Sequence, residues 1–462
     1  MKIFNVLIFS LAILGLILYW RGALDNLWLD ELWSLDHAMK MDRIWDVFFI
    51  RHDNNHILNT LYMYIIGRTP HWLIYRIPSI VTGTLTIILI PFCTIGKTSV
   101  EKLTAATMTL VSFPLITYSS EARGYAPALF FAIFSYFSVL RYTQTKKYTF
   151  IFFYWVSVIL GLLSHLTYIF ILLSVFLWTA SWINKEEGRI YSKIIHFLKV
   201  HSVPVIIMCG MYFIFIRYLA IGGGDGGSEL IAIKKTLLLA AGVPDYKWLG
   251  IVGVSLWFLA VIIGFRRIYE KEPSWAFFFS VLLIMPAYFL LIRPPEYLHP
   301  RYLLIAFPFF YLLFSHVLAS AWESGIRGKV LHIAVFAGIA IGNIYQLSGF
   351  YHFGRGGYKD AIELMANQSS EEIITVGSDH DFRNKIVIEY YRQFLPEGKR
   401  LVYFDQGSWP RNGPEWVITH DEFDDASKKI TVYGVRYSLI KTFRFSGLSG
   451  WYWFVYRNNS GL

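Results

Sequence analysis

The chain alternates long apolar stretches with short polar loops over its first 350 residues. About eleven of these stretches come close to the roughly 20 residues that a helix needs to cross a bilayer. They fall at 3–20, 78–96, 103–119, 125–140, 148–165, 167–183, 200–219, 247–265, 274–292, 302–320 and 330–348. The pattern predicts an α-helical polytopic membrane protein with about eleven transmembrane helices.

The basic residues of the loops follow a regular alternation. Every second loop is rich in lysine and arginine, and these loops contain Lys97, Lys102, Arg141, Lys146, Lys147, Lys185, Arg189, Lys193, Arg266, Arg267, Lys271, Arg327 and Lys329. Because cytoplasmic loops carry an excess of such residues, we expect these loops and the N-terminus to lie inside. An odd number of crossings then leaves the segment after the last helix outside.

The composition agrees with lipid as the main solvent. Hydrophobic residues make up 55% of the chain and charged residues 16%, whereas a soluble domain is about 25% charged. The net charge of +10 is explained by the basic inside loops, so we expect no nucleic-acid partner, although anionic lipid is compatible with it. Cys93 and Cys209 lie in apolar stretches and predict neither a disulfide nor a metal pair. The first stretch lacks a cleavage site and is interpreted as an uncleaved helix.

The pattern changes near residue 350. Amphipathic spacing predicts a helix at 358–366. Short strands are predicted at 373–376, 401–404, 416–419 and 430–436. We therefore predict a transmembrane domain at 1–349 and a small extracytoplasmic α/β domain at 350–462. Within the first domain, 21–75 is predicted to be an extracytoplasmic loop with interfacial helices.

Charged motifs gather in the loops predicted to lie outside. Asp30 and Glu31 follow the first helix in apolar surroundings, which raise the pKa and the basicity of a carboxylate. The alternative is that Asp30 caps an interfacial helix. The glycine run at 222–227 looks like a phosphate cradle, but it lacks the following Gly-Lys-Ser/Thr and is predicted to be a loop.

Three further motifs are equally open to more than one interpretation. His52 and His56, around Asp53, are spaced to share one helix face and bind a metal, although the intervening asparagines favour a polar turn. Hydrogen bonding to sugar hydroxyls is a third interpretation. Glu121 and Arg123 could form a simple ion pair, and Arg301 could extend to lipid headgroups.

Together these motifs resemble the GT-C membrane glycosyltransferases, with the closest similarity to the protein mannosyltransferase and lipid A aminoarabinose transferase group. The resemblance covers the first 350 residues well and the C-terminal domain loosely. It rests on Asp30-Glu31 and Glu121-Ala122-Arg123-Gly124-Tyr125, supported by Tyr75-Arg76-Ile77-Pro78-Ser79 and Pro300-Arg301-Tyr302.

Members of that group transfer a sugar from a polyprenyl-phosphate carrier to an acceptor, with inversion. The resemblance implies that Asp30 is the base and that Glu31 orients it or binds the acceptor. It also implies donor-phosphate binding by Arg123, Arg301 and Arg76, and substrate binding by Glu121, His52, Asp53, His56, Tyr125 and Tyr302. The expected partners are the lipid donor, membrane lipid and a cell-envelope acceptor, in a bacterial cytoplasmic (inner) membrane.

Since the leaving group carries a single phosphate, we expect no obligatory divalent metal. The chain departs from the group at one point. Many relatives have a His-Pro-Pro-like turn in the first loop, whereas this chain has Asn55-His56-Ile57. This departure suggests a different acceptor pocket.

Three alternatives remain. A lipid-linked sugar flippase would need ionisable residues along a path through the membrane, and the predicted spans are nearly free of them, His165 being the main exception. An O-antigen ligase or polymerase relies on arginines in a large loop between helices, whereas the large outside segment here is C-terminal. A structural membrane protein would leave the pattern of acids and arginines unexplained.

Overall fold

The computed structural model describes residues 2–220, 228–291 and 298–459. The glycine run at 222–227 and the first part of the proline-rich turn before Arg301 lie outside the described residues. The chain divides into two compact units. The first comprises Met1–Trp20 and His37–Tyr345, and the second comprises Arg21–Asp36 and Gln346–Leu462.

Helices account for most of the described chain. In chain order they are α1 (Lys2–Ala23), α2 (Leu29–Met39), α3 (Ile57–Ile66), α4 (Leu73–Leu89), α5 (Ser99–Val111), α6 (Phe113–Ser119), α7 (Tyr125–Thr145), α8 (Thr149–Ser164), α9 (Ile169–Asn184), α10 (Ile190–Ile214), α11 (Glu229–Ala240), α12 (Lys247–Ile268), α13 (Trp275–Phe279), α14 (Met285–Leu291), α15 (Phe307–Glu323), α16 (Ile326–Phe353), α17 (Tyr358–Gln368) and α18 (Asp381–Tyr391). A π-helical turn, Ser280–Ile284, joins α13 to α14, and 3₁₀ turns at Leu166–Tyr168 and Pro300–Ala306 precede α9 and α15.

The predicted polytopic membrane architecture is confirmed. Eight helical segments of the described residues are long and apolar enough to span a bilayer: Ile3–Ala23, Leu73–Phe92, Tyr125–Thr145, Leu166–Asn184, Ile190–Tyr218, Trp248–Ile268, Pro300–Glu323 and Ile326–Gln368. Two of the other predicted spans are the shorter apolar helices Thr149–Ser164 and Trp275–Leu291. The third, 103–119, is divided between α5 and α6.

The break between α5 and α6 has a local cause. Ser112 is extended, with φ −62° and ψ 112°, and Pro114 stands in the first turn of α6. Proline lacks the backbone N–H that a continuous helix would need there. Large apolar side chains elsewhere remain exposed along the spanning helices, including Ile3 and Phe9 on α1 and Trp248 on α12. Such surfaces suit contact with lipid tails.

The second unit contains a six-stranded mixed sheet. Its strands are β1 (Ile373–Ser378), β2 (Arg400–Tyr403), β3 (Trp416–Asp421), β4 (Lys429–Val432), β5 (Val435–Phe443) and β6 (Tyr452–Asn458), arranged in the order β2-β1-β3-β6-β5-β4. β1 pairs parallel with β2 and β3, and the remaining pairs are antiparallel. The predicted small α/β fold at the C-terminal end is confirmed.

Some details of this sheet differ from the sequence prediction. The strand predicted at 430–436 is a hairpin, because Tyr433 and Gly434 have φ values of 48° and 80°. Positive φ at both central residues is the geometry of a tight two-residue turn between antiparallel strands. α18 and β6 were not predicted.

The second unit also includes the segment Arg21–Asp36. The fully buried Arg355 donates from Nη1 to the Gly22 carbonyl at 3.0 Å and from its backbone N–H to Asp25 Oδ2 at 2.6 Å. The Tyr391 hydroxyl donates to the Leu27 carbonyl at 2.9 Å. Gly354 has φ 63°, and a Cβ there would lie 2.5 Å from the Asp25 carboxylate. The sequence predicts one loop over all of 21–75, whereas in the structure its first part, Arg21–Asp36, belongs to the C-terminal unit.

Candidate active site

The loop between α6 and α7 is fixed by two neighbouring helices of the first unit. Asn59 of α3 donates from Nδ2 to the Ala122 carbonyl at 2.8 Å. Ser79 of α4 donates from Oγ to the Arg123 carbonyl at 3.1 Å. The backbone that carries Arg123 is therefore held on both sides of that residue, which positions its side chain.

The Arg123 side chain is almost completely buried, with 2% of its surface exposed. Its Nη2 donates to Asn54 Oδ1 at 2.7 Å and lies 3.1 Å from His56 Nε2. Its Cζ lies 5.0 Å from the centre of the Tyr125 ring, within the range of a cation–π contact. The buried guanidinium thus contacts an amide, an imidazole and an aromatic ring.

Two histidine rings stack beside this guanidinium. The rings of His56 and His165 are 4.8 Å apart with an interplanar angle of 27°. The Tyr125 ring lies 4.4 Å from His165 and 5.5 Å from His56. Gly124 makes this approach possible, since a Cβ there would lie 1.8 Å from the Ser164 carbonyl oxygen. Any larger residue would force apart α8 and the loop that carries Arg123.

Burial and nearby positive charge keep both histidines neutral. Burial, followed by the charge of Arg123, lowers the pKa of His56 well below its ordinary value. Burial, Arg123 and then Arg301 lower the pKa of His165 to about 3. Arg301 also acts on His56, so its charge lies within electrostatic range of both rings. We refer to Asn54, His56, Arg123, Tyr125, His165 and Arg301 as the arginine–histidine cluster.

The cluster is suited to binding an anion. At neutral pH the two histidines are uncharged, and the two arginines supply the positive charge. Guanidinium groups present a planar fork of donors that matches two oxygens of a phosphate or carboxylate.

The structure brings together Arg123, Arg301, His56 and Tyr125 from the set predicted from sequence. It adds Asn54 and His165, which the sequence analysis did not assign to a site. The sequence did contain an indication for His165, because it is the main ionisable residue within the predicted spans. Asn54 had none beyond its place in a polar motif.

His52 and His56 lie in a turn, as the intervening asparagines favoured, and do not share a helix face. His52 Nδ1 lies 3.1 Å from Asp53 Oδ1, and its ring is 4.8 Å from the ring of His37. The segment is a turn that ends at His56, the residue before α3. Within the described residues, no group of three or more histidine, cysteine, aspartate or glutamate side chains is arranged to hold a metal ion.

The remaining predicted residues of this unit lie in or near the same elements. Arg76 is fully buried in α4, one turn before Ser79, and Glu121 is fully buried in the fixed loop. Tyr302 is half-buried, and its ring centre lies 5.6 Å from Arg301 Cζ.

Asp30 and Glu31 belong to the second unit, in the first turn of α2. Glu31 is fully buried, and its Oε2 accepts a hydrogen bond from the Trp28 backbone N–H at 3.2 Å. Asp30 is 8% exposed, and its carbonyl accepts from Ser34 Oγ at 3.0 Å. The helix cap considered for Asp30 is therefore made by Glu31, in the manner of the acidic residue of a capping box.

No protein-family model matches this sequence, and no curated protein matches it. Solved structures do match. ArnT from Cupriavidus metallidurans bound to undecaprenyl phosphate has 12% sequence identity and a TM-score of 0.57, covering 98% of this chain and 98% of that chain. The apo state of the same protein has 13% identity and a TM-score of 0.58, covering 98% and 97%.

The archaeal oligosaccharyltransferase AglB from Archaeoglobus fulgidus, in complex with an inhibitory peptide and a dolichol-phosphate, has 8% identity and a TM-score of 0.49, covering 89% of this chain and 69% of that chain. The likeness to ArnT extends over nearly the whole of both chains. It shows that this protein has the GT-C membrane fold, which confirms the fold that the sequence resemblance predicted.

Proposed function

We propose that the protein is an inverting glycosyltransferase that moves a hexosyl or pentosyl group from a polyprenyl-phosphate donor to a cell-envelope acceptor. The observation that carries this proposal is the arginine–histidine cluster within a GT-C fold, in which Arg123 contacts His56 and the charge of Arg301 acts on both neutral histidines. The likeness to a protein bound to undecaprenyl phosphate supports a lipid-phosphate ligand. The protein acts at the outer face of the bacterial cytoplasmic membrane, with its N-terminus inside and its C-terminal domain outside.

In this proposal the cluster binds the phosphate of the donor. Arg123 and Arg301 face the phosphate oxygens, and Arg76 adds positive charge from α4. Asn54 and His56 set the orientation of the Arg123 guanidinium before the donor arrives. An electrostatic site that is arranged before the reaction lowers the barrier, because no reorganisation is needed as charge develops.

In the proposed transfer step, the acceptor hydroxyl displaces the donor phosphate and no cofactor takes part. The acceptor hydroxyl oxygen attacks the anomeric carbon of the donor sugar, and the bond from that carbon to the phosphate oxygen breaks. The phosphate leaves with the bonding electron pair, and the two arginines stabilise its added negative charge. Asp30 takes the hydroxyl proton as general base. We expect no obligatory divalent metal.

The other predicted residues take supporting roles in the proposal. Glu31 fixes the first turn of α2 that carries Asp30. Substrate contacts are assigned to Glu121, Tyr125, Tyr302, His52, Asp53 and His56.

The proposal is tested by sugar transfer with the purified protein in detergent. Radiolabelled polyprenyl-phosphate sugars are supplied with an envelope extract as acceptor, and wild type is compared with Arg123→Ala. We expect a loss of roughly two orders of magnitude, as when one donor to a developing oxyanion is removed. Arg141→Ala, on the exposed last part of α7, is the control and should retain full activity.

Binding of undecaprenyl phosphate is measured on the same preparations. Weaker binding by Arg123→Ala, together with lost transfer, supports a phosphate role for the cluster. The transferase proposal is wrong if the protein carries the intact donor across vesicle membranes and no labelled sugar reaches the acceptor. That result would indicate a flippase.

A further inference from the structure

A row of aromatic and imidazole rings runs through the second unit. The Trp33 and Phe382 ring centres are 4.8 Å apart, and Phe382 lies 6.3 Å from His380. His380 lies 5.8 Å from His420, which in turn lies 5.5 Å from Trp451. Phe382 is 59% exposed, and Trp33 and Trp451 are partly exposed. A contiguous row of such rings at the surface marks an interaction site.

Polar side chains accompany the rings at the His420 end. Asp379 Oδ2 accepts from the His420 backbone N–H at 3.1 Å, and its Oδ1 accepts from Asn384 Nδ2 at 2.9 Å. Arg383 Nη1 lies 3.1 Å from His420 Nε2, and Arg383 Cζ lies 4.7 Å from the centre of the Trp451 ring. The donors and acceptors are therefore held in fixed positions beside the rings.

These residues lie where the sheet topology favours a ligand. Asp379 directly follows β1, and His420 belongs to the last part of β3. The chain leaves β1 through α18 to reach β2 on one side, while β3 pairs with β1 on the other side. The connections thus diverge at the carboxyl ends of β1 and β3. In open α/β sheets, ligands bind in the crevice at such a point.

We propose that this strip, formed by Trp33, Asp379, His380, Phe382, Arg383, Asn384, His420 and Trp451, binds a saccharide chain of the acceptor. The inference rests on the proposed function and adds the chemical class of the acceptor to it. Sugar rings offer apolar C–H faces that pack on aromatic rings, and hydroxyls that exchange hydrogen bonds with fixed amide, carboxylate and guanidinium groups. Asp379 and Arg383 carry opposite charges, which favours an uncharged ligand over a phosphate.

The strip also begins beside the proposed base. Trp33 lies on α2, one turn after Asp30, and residues three apart on a helix lie on neighbouring positions of its surface. A saccharide bound along the strip would therefore place its terminal sugar near the Asp30 carboxylate, where the attacking hydroxyl is needed.

Saccharide binding is tested without relying on catalysis. Saturation-transfer NMR is recorded on the full-length protein in detergent with three probes: a hexasaccharide of N-acetylglucosamine, a mannohexaose and a maltohexaose. We expect at least one probe to bind wild type, and Phe382→Ala and Trp451→Ala each to weaken that binding by about tenfold, as for the loss of one aromatic contact. Tyr433→Ala is the matched control, since this aromatic side chain is 66% exposed in the β4–β5 turn at another edge of the sheet.

The outcomes separate this inference from the proposed function. If no probe binds, or if Phe382→Ala and Trp451→Ala bind as wild type does, the inference is wrong, even where transfer from the lipid donor proceeds. If a probe binds through the strip but no donor is consumed, the saccharide-binding inference is supported and the transferase proposal is wrong. If Phe382→Ala instead reduces binding to phosphatidylglycerol vesicles and leaves saccharide binding unchanged, the strip is a membrane contact.

Discussion

The arginine–histidine cluster and the segment Arg21–Asp36 fix their charged groups in different ways. In the cluster, the Arg123 guanidinium is contacted by the side chains of Asn54 and His56. In the segment, backbone groups take part as well: the Gly22 and Leu27 carbonyls accept hydrogen bonds from Arg355 and Tyr391, while the Asp25 carboxylate accepts from the Arg355 backbone N–H. Contacts to backbone groups fix the path of the chain, whereas contacts to a side chain fix its orientation. We infer that backbone contacts hold the segment, and with it Asp30, in a constant position, and that side-chain contacts orient the Arg123 guanidinium before a ligand binds.

The largest expected effect comes from the segment. Asp30→Asn keeps the size of the side chain and removes its ability to accept a proton, so we expect transfer to fall by roughly two or more orders of magnitude. Radiolabelled transfer at saturating donor measures this. Asp42→Asn, an exposed acid before α3, should leave transfer unchanged. Wild-type activity in Asp30→Asn would move the search for the base to Glu31, Asp53 or Glu121.

A somewhat smaller effect is expected from the second arginine of the cluster. Arg301→Ala should reduce transfer about a hundredfold through the loss of one charged donor, and Arg301→Lys should lie between Arg301→Ala and wild type, because lysine keeps the charge but not the planar fork. Arg267→Ala, exposed in the last turn of α12, is the control. Equal activity of Arg301→Lys and wild type would show that charge alone suffices.

The pH dependence of stability should report on the cluster. The pKa of His165 is about 3 in the folded protein, below its value of roughly 6.5 in the unfolded chain. The unfolded chain therefore binds more protons than the folded protein between these two pH values. The contribution of the neutral His165 to the free energy of unfolding is fully present above about pH 6.5 and is lost as the pH falls towards about 3. The expected slope is up to about 1.4 kcal/mol per pH unit for this histidine.

Thermal unfolding in detergent at pH 5 and pH 7 measures that slope. His165→Asn retains an acceptor for the Thr167 N–H, which His165 Nδ1 receives at 3.1 Å, but it cannot be protonated. We expect a flatter dependence for this variant than for wild type. His71→Asn, at an exposed position, should keep the wild-type slope, and equal slopes for all three proteins would contradict a buried neutral His165.

The smallest expected effect tests the helix cap of the segment. Glu31→Ala removes the acceptor for the Trp28 N–H and should lower the free energy of unfolding by about 1 kcal/mol. Glu31→Gln keeps an acceptor at the same place and should cost less. Both are measured by thermal unfolding beside transfer assays. A loss of activity in Glu31→Gln far larger than its loss of stability would give Glu31 a direct chemical role.

The transmembrane part was largely predictable because each span carries its own signal. A run of apolar residues and the charges of its flanking loops are local properties, and neither depends on distant residues. The exception is 103–119, where Pro114 divides an apolar run into two helices. Hydropathy alone does not reveal a break that is caused by one missing backbone N–H.

The C-terminal sheet and the cluster were predicted only in part. The residues of α18 include Ile386, Val387 and Ile388, whose branched side chains favour strands, so their helix depends on packing within the sheet domain. The cluster contains His165, which lies more than a hundred residues from His56 in sequence. Their contact depends on Gly124, whose lack of a side chain allows the approach of Ser164. Such long-range pairings are not visible in a single sequence.

The attachment of Arg21–Asp36 to the C-terminal unit determines how this protein can be recombined with relatives. A chimaera that exchanged only the residues after Gln346 would separate Arg355 and Tyr391 from the carbonyls of Gly22 and Leu27 that they bind. The segment that carries Asp30 would then lie against the C-terminal domain of another protein, whose side chains do not match its carbonyl groups. The unit of exchange is discontinuous, and a functional swap has to transplant both stretches of sequence together.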